Sequence, residues 1–298
     1  AQGLPPVLAS AKKAIEETGV WTEDACCTIA GLFEYEKQSR GAGMQQFVQN
    51  IVFIGGGNMA SAILGGLRQQ GVAAQQITVV DPGLEARIRL QERYGVRALE
   101  AADASLGQAD VVVWAVKPQQ FREAAAAAAP HVAGALHISV AAGITTATLA
   151  RWFVSQRIVR CMPNTPALIG QGMTGVYAMP GVAADDRALA DAVLAPTGKR
   201  LWLEQEALID SLMTISGSGP AYVFYWMEAL IQGGMELGLT QEQAKELAVQ
   251  TFAGAAALAQ ASGEQPEVLR QQVTSKGGTT HAAISSMQDN KVHVHIIE

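Results

Sequence analysis

The chain has 298 residues, of which 49% are hydrophobic and 16% are charged, and its formal net charge is −6. This composition predicts a globular protein with a sizeable core, long enough for two domains. Because the chain is acidic and lacks a basic stripe, we expect no nucleic-acid partner. It has three cysteines, no run of 18 apolar residues and no signal-peptide pattern, so we expect a cytoplasmic protein without a membrane partner.

The first 43 residues differ in character from the rest of the chain. They contain one candidate amphipathic helix at 8–18 and end in a linker-like stretch, Ser39–Gly43. Met44 follows and resembles a natural translation start, shortly before the first clear strand. We therefore predict that residues 1–43 are an extension outside the functional fold.

From residue 51 onward, short apolar strands alternate with helices. Helices are predicted from Met59 to about Gln70 and from Glu85 to about Tyr94, and a glycine follows each. This alternation is typical of a mostly parallel sheet covered by helices on both faces, so we expect an α/β domain over 44–210. The predicted strands are Ile51–Ile54, Ile77–Val80, Val111–Val116, Leu136–Val140, Arg157–Arg160 and Gly175–Ala178.

Beyond residue 210 the pattern becomes helical. Helical stretches are predicted at 221–237, at 241–261 and after Gly278, and only the last residues resemble a strand. We therefore predict an all-helical second domain over 211–298.

A glycine-rich motif, GGGNMA at 55–60, directly follows the first strand and opens a helix. It matches G-x-G-x-x-A, in which Gly55 permits a tight turn, Gly57 lets the backbone approach a pyrophosphate, and Ala60 allows close helix packing. The helix N-terminus also offers unpaired N–H groups to an anion. This context predicts a Rossmann-type dinucleotide-binding domain; the alternative is a glycine-rich turn without a ligand.

Asp81 stands at the end of the second strand. An acid there binds the ribose hydroxyls of NAD and disfavours the phosphate of NADP. Arg87 and Arg89 follow closely, however, and arginines can hold that phosphate. Asp81 also suits the start of a turn with Pro82 and Gly83. The sequence therefore leaves the choice between NADPH and NADH open.

Two further strand ends are candidates for the same ligand. Ala115, Lys117 and Pro118 follow the third strand, at the edge of the sheet where ligands of such folds bind. A surface lysine after a buried strand explains Lys117 equally well. Ala142 and Gly143 follow the next strand, where small residues leave room for a flat ring.

The loop 273–280, VTSKGGTT, precedes a short helical run. Glycines before a helix N-terminus form a nest of N–H groups that suits a carboxylate, and the neighbouring hydroxyls donate or accept hydrogen bonds. A simply capped helix start is the alternative. Ser218, within SGSGPA, is either a helix cap or a substrate contact. The sequence contains neither a zinc-spaced Cys/His array nor a hydrolase triad motif, so we expect no metal.

Together these motifs resemble the pyrroline-5-carboxylate reductase family over about residues 49–288. The resemblance implies an NADPH- or NADH-dependent enzyme of proline biosynthesis that reduces a cyclic imine and forms a homodimer or larger homo-oligomer. The matching strings are IVFIGGGNMASAILGGL (51–67), AVKP (115–118), SVAAGI (139–144), RCMPNTPALIGQGMT (160–174), SGSGPAYVF (216–224) and PEVLRQQVTSKGGTTHAAISSMQ (266–288).

The resemblance also implies roles for single residues. Beyond those roles, our hypothesis is that Thr280 hydrogen-bonds the ring nitrogen and orients the imine. The implied cofactor contacts are Gly55, Gly57, Asn58, Met59, Ala115, Lys117, Pro118, Ala142 and Gly143. The implied substrate contacts are Ser275, Gly277, Gly278, Thr279 and Thr280.

Two segments depart from the family pattern. Residues 1–43 have no counterpart, and where the family continues past Gln288 into a further helix, this chain reads DNKVHVHIIE, so we expect a second domain shortened at its C-terminus. Two alternatives stay open: a dinucleotide-binding protein without catalytic activity, and another two-domain reductase of the β-hydroxyacid dehydrogenase type. The latter relies on an inter-domain lysine, which 216–224 lacks.

Overall fold

The computed structural model describes residues 49–297. They divide into two compact units, 49–224 and 225–297. The extension predicted for residues 1–43, with its candidate helix, lies outside the described residues. The boundary near residue 210 between the two predicted domains stays a prediction.

An eight-stranded sheet forms the centre of the first unit. Its strands lie in the order β3-β2-β1-β4-β5-β6-β7-β8. Strands β1 to β6 are parallel, β7 is antiparallel to β6, and β8 is parallel to β7. The first six strands have the order of a doubly wound dinucleotide-binding sheet, so the predicted Rossmann-type, mostly parallel architecture is confirmed. The strands are β1 (Ile51–Ile54), β2 (Ile77–Val80), β3 (Arg97–Leu99), β4 (Val111–Trp114), β5 (Leu136–Ser139), β6 (Ile158–Met162), β7 (Gly172–Ala178) and β8 (Gly198–Trp202).

Helices connect the strands and cover the sheet with two apolar clusters. In β1, Ile51 and Phe53 belong to one cluster, whereas Val52 and Ile54 belong to the other. Successive strand residues point to opposite faces, so a strand buried on both faces reads as a continuous apolar run. The helices of this unit are α1 (Asn58–Gln69), α2 (Leu84–Tyr94), α3 (Pro118–Ala128), α4 (Thr146–Phe153), α5 (Ala184–Leu194), α6 (Leu208–Leu212) and the start of α7 (Gly219–Glu236).

The second unit is helical, as predicted. Its longest helix, α8, begins at a capping box in which Gln243 N–H donates to Thr240 Oγ1 (3.2 Å) and Thr240 N–H donates to Gln243 Oε1 (3.0 Å). Gly263 follows α8 with a positive φ of 67°, a conformation that ends helices. Beyond α7, the helices are α8 (Gln241–Ser262), α9 (Pro266–Gln272), α10 (Thr279–Asp289) and α11 (Val292–Ile297).

The strand-like reading of the last residues is wrong, because Val292–Ile297 form α11. Alternating valine and histidine favour a strand by local propensity. A strand needs a neighbour for its backbone hydrogen bonds, however, and residues 225–297 offer none, whereas a helix satisfies these groups internally.

None of the helices within residues 49–297 combines the length and the apolar character that crossing a membrane requires.

Candidate active site

The loop after β1 is an open cradle at a helix N-terminus. Gly55 has a φ of +97°, and a Cβ there would lie 2.5 Å from the carbonyl oxygen of Ala115, so only glycine fits. Gly57 precedes α1 without a side-chain cap, and no atom lies within 4 Å of the position that its Cβ would take. The first N–H groups of α1, at Asn58 and Met59, have no acceptor within the helix, and Asn58 is exposed. This geometry fits a pyrophosphate.

The carboxyl ends of four adjacent strands, in the order β2-β1-β4-β5, bring the predicted cofactor residues to one edge of the sheet. Asp81 follows β2 and the glycine loop follows β1. The segment Ala115–Pro118 follows β4, with Lys117 as the exposed N-cap residue of α3 and Pro118 as its first residue. The order of strands reverses between β1 and β4, where dinucleotides bind in such sheets.

The turn after β5 leaves space at this same edge. Gly143 has a φ of +72°, is exposed, and has no atom within 4 Å of its Cβ position, and Ala142 beside it is half-buried. Neither residue carries a side chain that would obstruct a flat ring. The structure therefore brings the predicted cofactor residues to one edge of the sheet, and their roles stay predictions.

Both arginines near Asp81 contact backbone carbonyls. Arg87 donates to the carbonyl oxygens of Asp81 and Pro82, both at 2.8 Å, and forms an ion pair with Glu100 at 3.2 Å. Arg89 Nη2 donates to the carbonyl oxygen of Gly56 at 2.9 Å. Arg87 therefore stabilises the turn after β2.

In the second unit, the loop before α10 has a positive φ and an uncapped helix start, both of which its predicted role as an anion nest requires. Gly277 has a φ of +77°, and Gly278 precedes α10 without a side-chain cap. A Cβ on Gly278 would lie 2.6 Å from Ser275 Oγ. Thr279 and Thr280, in the first turn of α10, are exposed, and that turn carries no acidic residue. Gly278 N–H donates to the carbonyl oxygen of Ser275 at 3.1 Å, so the N–H groups that remain for a carboxylate are those of Gly277 and of the first turn of α10.

Ser218 does not cap α7 in the extended conformation of an N-cap residue. Its φ and ψ of −85° and −27° are helical, and it continues the π-helix Met213–Gly217 into α7. Asn164, which the sequence analysis missed, holds this π-helix: its Nδ2 donates to the carbonyl oxygen of Ser216, and its Oδ1 accepts from Met173 N–H, both at 3.0 Å. Ser218 as a substrate contact stays a prediction.

A buried arginine in β6 was also missed. Arg160 is 3% exposed and pairs with Glu206 at 3.0 Å and Asp210 at 3.1 Å. Glu206 also accepts hydrogen bonds from Thr146 N–H and from its hydroxyl, both at 2.7 Å, at the start of α4. The arginine within the apolar run Ile158–Met162 is a usable sequence signal, because a buried charge requires a partner.

Two buried reactive side chains belong to the core. The imidazole of His137 is fully buried and accepts a hydrogen bond from Trp114 Nε1 at 3.1 Å, and burial lowers its pKa to about 4. Burial raises the pKa of the Cys161 thiol above its usual range, which leaves the thiol unreactive. Across residues 49–297, no group of three or more His, Cys, Asp or Glu side chains is placed to hold a metal ion.

The fold and site together define a dinucleotide-dependent oxidoreductase. The chain combines a Rossmann sheet that carries an open pyrophosphate cradle with a helical unit that carries an anion nest. The family model described as NADP oxidoreductase, coenzyme F420-dependent, matches residues 50–143, and the one described as pyrroline-5-carboxylate reductase dimerisation matches residues 206–298.

Comparison with known proteins identifies the family to which the chain belongs. The pyrroline-5-carboxylate reductase of Pseudomonas aeruginosa is 46% identical over 80% of this chain and 89% of its own length. The structure of a pyrroline-5-carboxylate reductase from Coxiella burnetii has a TM-score of 0.79 and 38% identity, covering 84% of this chain and 94% of that one. The Plasmodium falciparum pyrroline carboxylate reductase structure, with NADP bound, has a TM-score of 0.74 and 26% identity, covering 86% and 94%. The chain therefore belongs to the pyrroline-5-carboxylate reductase family.

Proposed function

We propose that this protein reduces 1-pyrroline-5-carboxylate to L-proline, with NADPH or NADH as the hydride donor. The observation that carries this proposal is the pair of open helix N-termini, at α1 and at α10, in a chain of this family. One suits the pyrophosphate of a dinucleotide and the other suits the carboxylate of a small acid. When bound, the reduced nicotinamide supplies a hydride to the imine carbon.

The Rossmann unit holds and orients the cofactor. The backbone of the loop from Gly55 to Gly57 and the N–H groups of Asn58 and Met59 bind the pyrophosphate. Ala115, Lys117 and Pro118 border the ribose, and Ala142 and Gly143 border the nicotinamide. Because the residues after β5 carry no bulky side chain, Ala142 and Gly143 would leave room there for the nicotinamide ring.

The nest before α10 holds and orients the substrate. The N–H groups of Gly277 and Thr279 bind the carboxylate, and Ser275 adds a hydroxyl. Gly278 N–H instead donates to the carbonyl oxygen of Ser275 at 3.1 Å and so stabilises the turn. Thr280 hydrogen-bonds the ring nitrogen and so selects the face of the imine that receives hydride. A protonated imine carbon is already electrophilic, and an unperturbed threonine is a poor acid, so the contribution of Thr280 is orientation.

The helical unit also supports a homo-oligomer. Large apolar side chains of this unit are exposed along α7 and α8: Tyr225 is 73% exposed, Leu230 48% and Leu247 56%. Exposed apolar surface of this kind marks an interaction site, and the match to a dimerisation family indicates a second copy of the chain. We infer that the smallest assembly is a homodimer. We also infer that the protein is cytoplasmic and has neither a nucleic-acid nor a membrane partner.

Steady-state kinetics of Thr280→Ala and Thr280→Ser test this assignment. The alanine variant loses the orienting hydrogen bond, and we expect kcat with 1-pyrroline-5-carboxylate to fall about 10- to 100-fold. The serine variant keeps the hydroxyl and should retain most of the activity. Full kcat and KM in Thr280→Ala would refute the role of Thr280.

Assays of the wild-type protein distinguish the two alternative functions. A wild-type protein that binds cofactor without turning over the imine is the dinucleotide-binding protein without catalysis. Reduction of NAD by a β-hydroxyacid, without any reaction of the imine, would instead indicate a β-hydroxyacid dehydrogenase.

A further inference from the structure

The carboxylate of Asp81 is bonded to the backbone of two loops. Its Oδ2 accepts from Gly56 N–H at 2.7 Å, and its Oδ1 accepts from Gly83 N–H at 2.8 Å. The side chain therefore ties the glycine-rich loop after β1 to the turn after β2. Both bonds are charge-assisted, which places them among the stronger hydrogen bonds of proteins.

Arg89 holds the next peptide group of the same loop. Its Nη2 donates to the carbonyl oxygen of Gly56 at 2.9 Å. In a planar trans peptide the carbonyl and the following N–H point in opposite directions, so this bond also fixes the direction of Gly57 N–H. A charged side chain thus fixes the peptide group on each side of Gly56, and Gly57 N–H is one of the groups in the cradle.

We propose that Asp81 and Arg89 form a clamp that fixes the pyrophosphate-binding loop and serves NADH and NADPH equally. This proposal rests on the use of a nicotinamide dinucleotide put forward above. Asp81 is then a positioning residue, and it does not select NADH through the ribose hydroxyls. Arg89 likewise acts through Gly56 and does not select NADPH through the 2′-phosphate.

The clamp lowers the cost of cofactor binding by ordering the loop beforehand. A loop that is already fixed loses little conformational freedom when the pyrophosphate arrives. Since NADH and NADPH share the pyrophosphate, a broken clamp weakens both by the same factor. A residue that contacts the ribose or its phosphate would instead change the ratio of the two affinities.

The test compares Asp81→Asn and Arg89→Met with wild type, by equilibrium titration of the full chain with NADH and with NADPH. Asparagine has the shape of aspartate but only one acceptor atom, so one bond to the loops is lost. We expect both dissociation constants to rise about tenfold in each variant, with their ratio unchanged.

Asp103→Asn is the matched control. Its carboxylate also accepts a backbone N–H, from Ser105 at 2.8 Å, but in a turn away from the glycine loop. We expect both dissociation constants to stay at the wild-type value. A purely structural role of Asp81 would lower the melting temperature in Asp81→Asn and leave the affinities of the folded protein unchanged, which would contradict the clamp.

Amide hydrogen exchange of residues 55–60 in the cofactor-free protein gives a readout independent of binding. Exchange should be faster in Asp81→Asn and Arg89→Met than in wild type or Asp103→Asn. Unchanged exchange would overturn the clamp, as would opposite shifts of the two affinities in Asp81→Asn or a loss confined to NADPH in Arg89→Met. A wild-type chain that binds neither cofactor would overturn the proposed function as well, so the two failures are distinguishable.

Discussion

Replacing His137 by asparagine should remove the part of the acid sensitivity of the fold that arises between pH 6.5 and about 4. The imidazole is fully buried, stacked on Phe153 with ring centroids 4.5 Å apart, and its Nδ1 accepts from Trp114 Nε1. A second proton on this ring would have to occupy the acceptor Nδ1 and break that bond. Desolvation, and secondarily the positive charge of Arg157, therefore keep the imidazole neutral in the fold.

The size of the effect follows from the two pKa values. Burial lowers the pKa of His137 from 6.5 to about 4 in the folded protein. Between these values the unfolded chain binds a proton that the folded chain does not, so the free energy of unfolding falls as the pH falls. The loss begins below pH 6.5, is complete near pH 4, and totals about 3 kcal/mol, at about 1.4 kcal/mol for each unit of pKa shift.

Denaturant unfolding at a series of pH values, at fixed protein concentration, measures this difference. Asparagine keeps an acceptor for Trp114 but does not titrate, so His137→Asn should be less stable near pH 8, by about 1–3 kcal/mol, through lost packing. Its stability should then fall less steeply than that of wild type as the pH is lowered. His293→Asn, at an exposed position of α11, is the matched control and should follow the wild-type curve. Parallel curves for wild type and His137→Asn would refute the reasoning.

Four further predictions concern the site and its support. Gly57→Ala should leave the melting temperature unchanged, because no atom lies within 4 Å of the added methyl, but should raise the dissociation constant of either cofactor at least tenfold by titration. Gly55→Ala should instead lower the free energy of unfolding by about 2 kcal/mol or more, measured by denaturant unfolding; equal stability of both variants would contradict the cradle geometry. Glu206→Gln should cost about 3 kcal/mol in the same assay, since it leaves the buried Arg160 without its better-shielded partner; a loss below 1 kcal/mol would show that the pair is dispensable. Gly278→Ala should displace the nearby serine hydroxyl and raise KM for the imine while cofactor affinity stays constant, and an unchanged KM would exclude the nest.

The strands that a sequence pattern predicts best are those buried on both faces. All four residues of β1 and of β4 are buried, and both strands read as uninterrupted apolar runs. β3 and β8 were not predicted, because both lie at the edges of the sheet and are not continuous apolar runs: they include the exposed Arg97 and the half-buried Arg200. Their position depends on pairing with neighbours and is invisible in the local pattern.

The candidate site likewise has features that the sequence predicts and features that depend on the folded structure. The glycine cradle was predictable, because glycine is the residue type that adopts a positive φ and allows the close backbone approach found at Gly55. The local bond of Asp81 to Gly83 agrees with the turn that the sequence offered as an alternative for Asp81. The bond of Asp81 to Gly56 was not predictable, since it joins residues 25 apart in sequence, and neither was that of Arg89 to Gly56, which joins residues 33 apart. Such long-range contacts exist only once β1 and β2 are paired.

The most direct test of the central claim is to incubate the purified full chain with 1-pyrroline-5-carboxylate and NADPH or NADH, and to quantify L-proline against oxidised cofactor. The account predicts one proline formed for each cofactor oxidised, with no oxidation when the imine is left out. Cofactor binding without proline formation would contradict the proposed function.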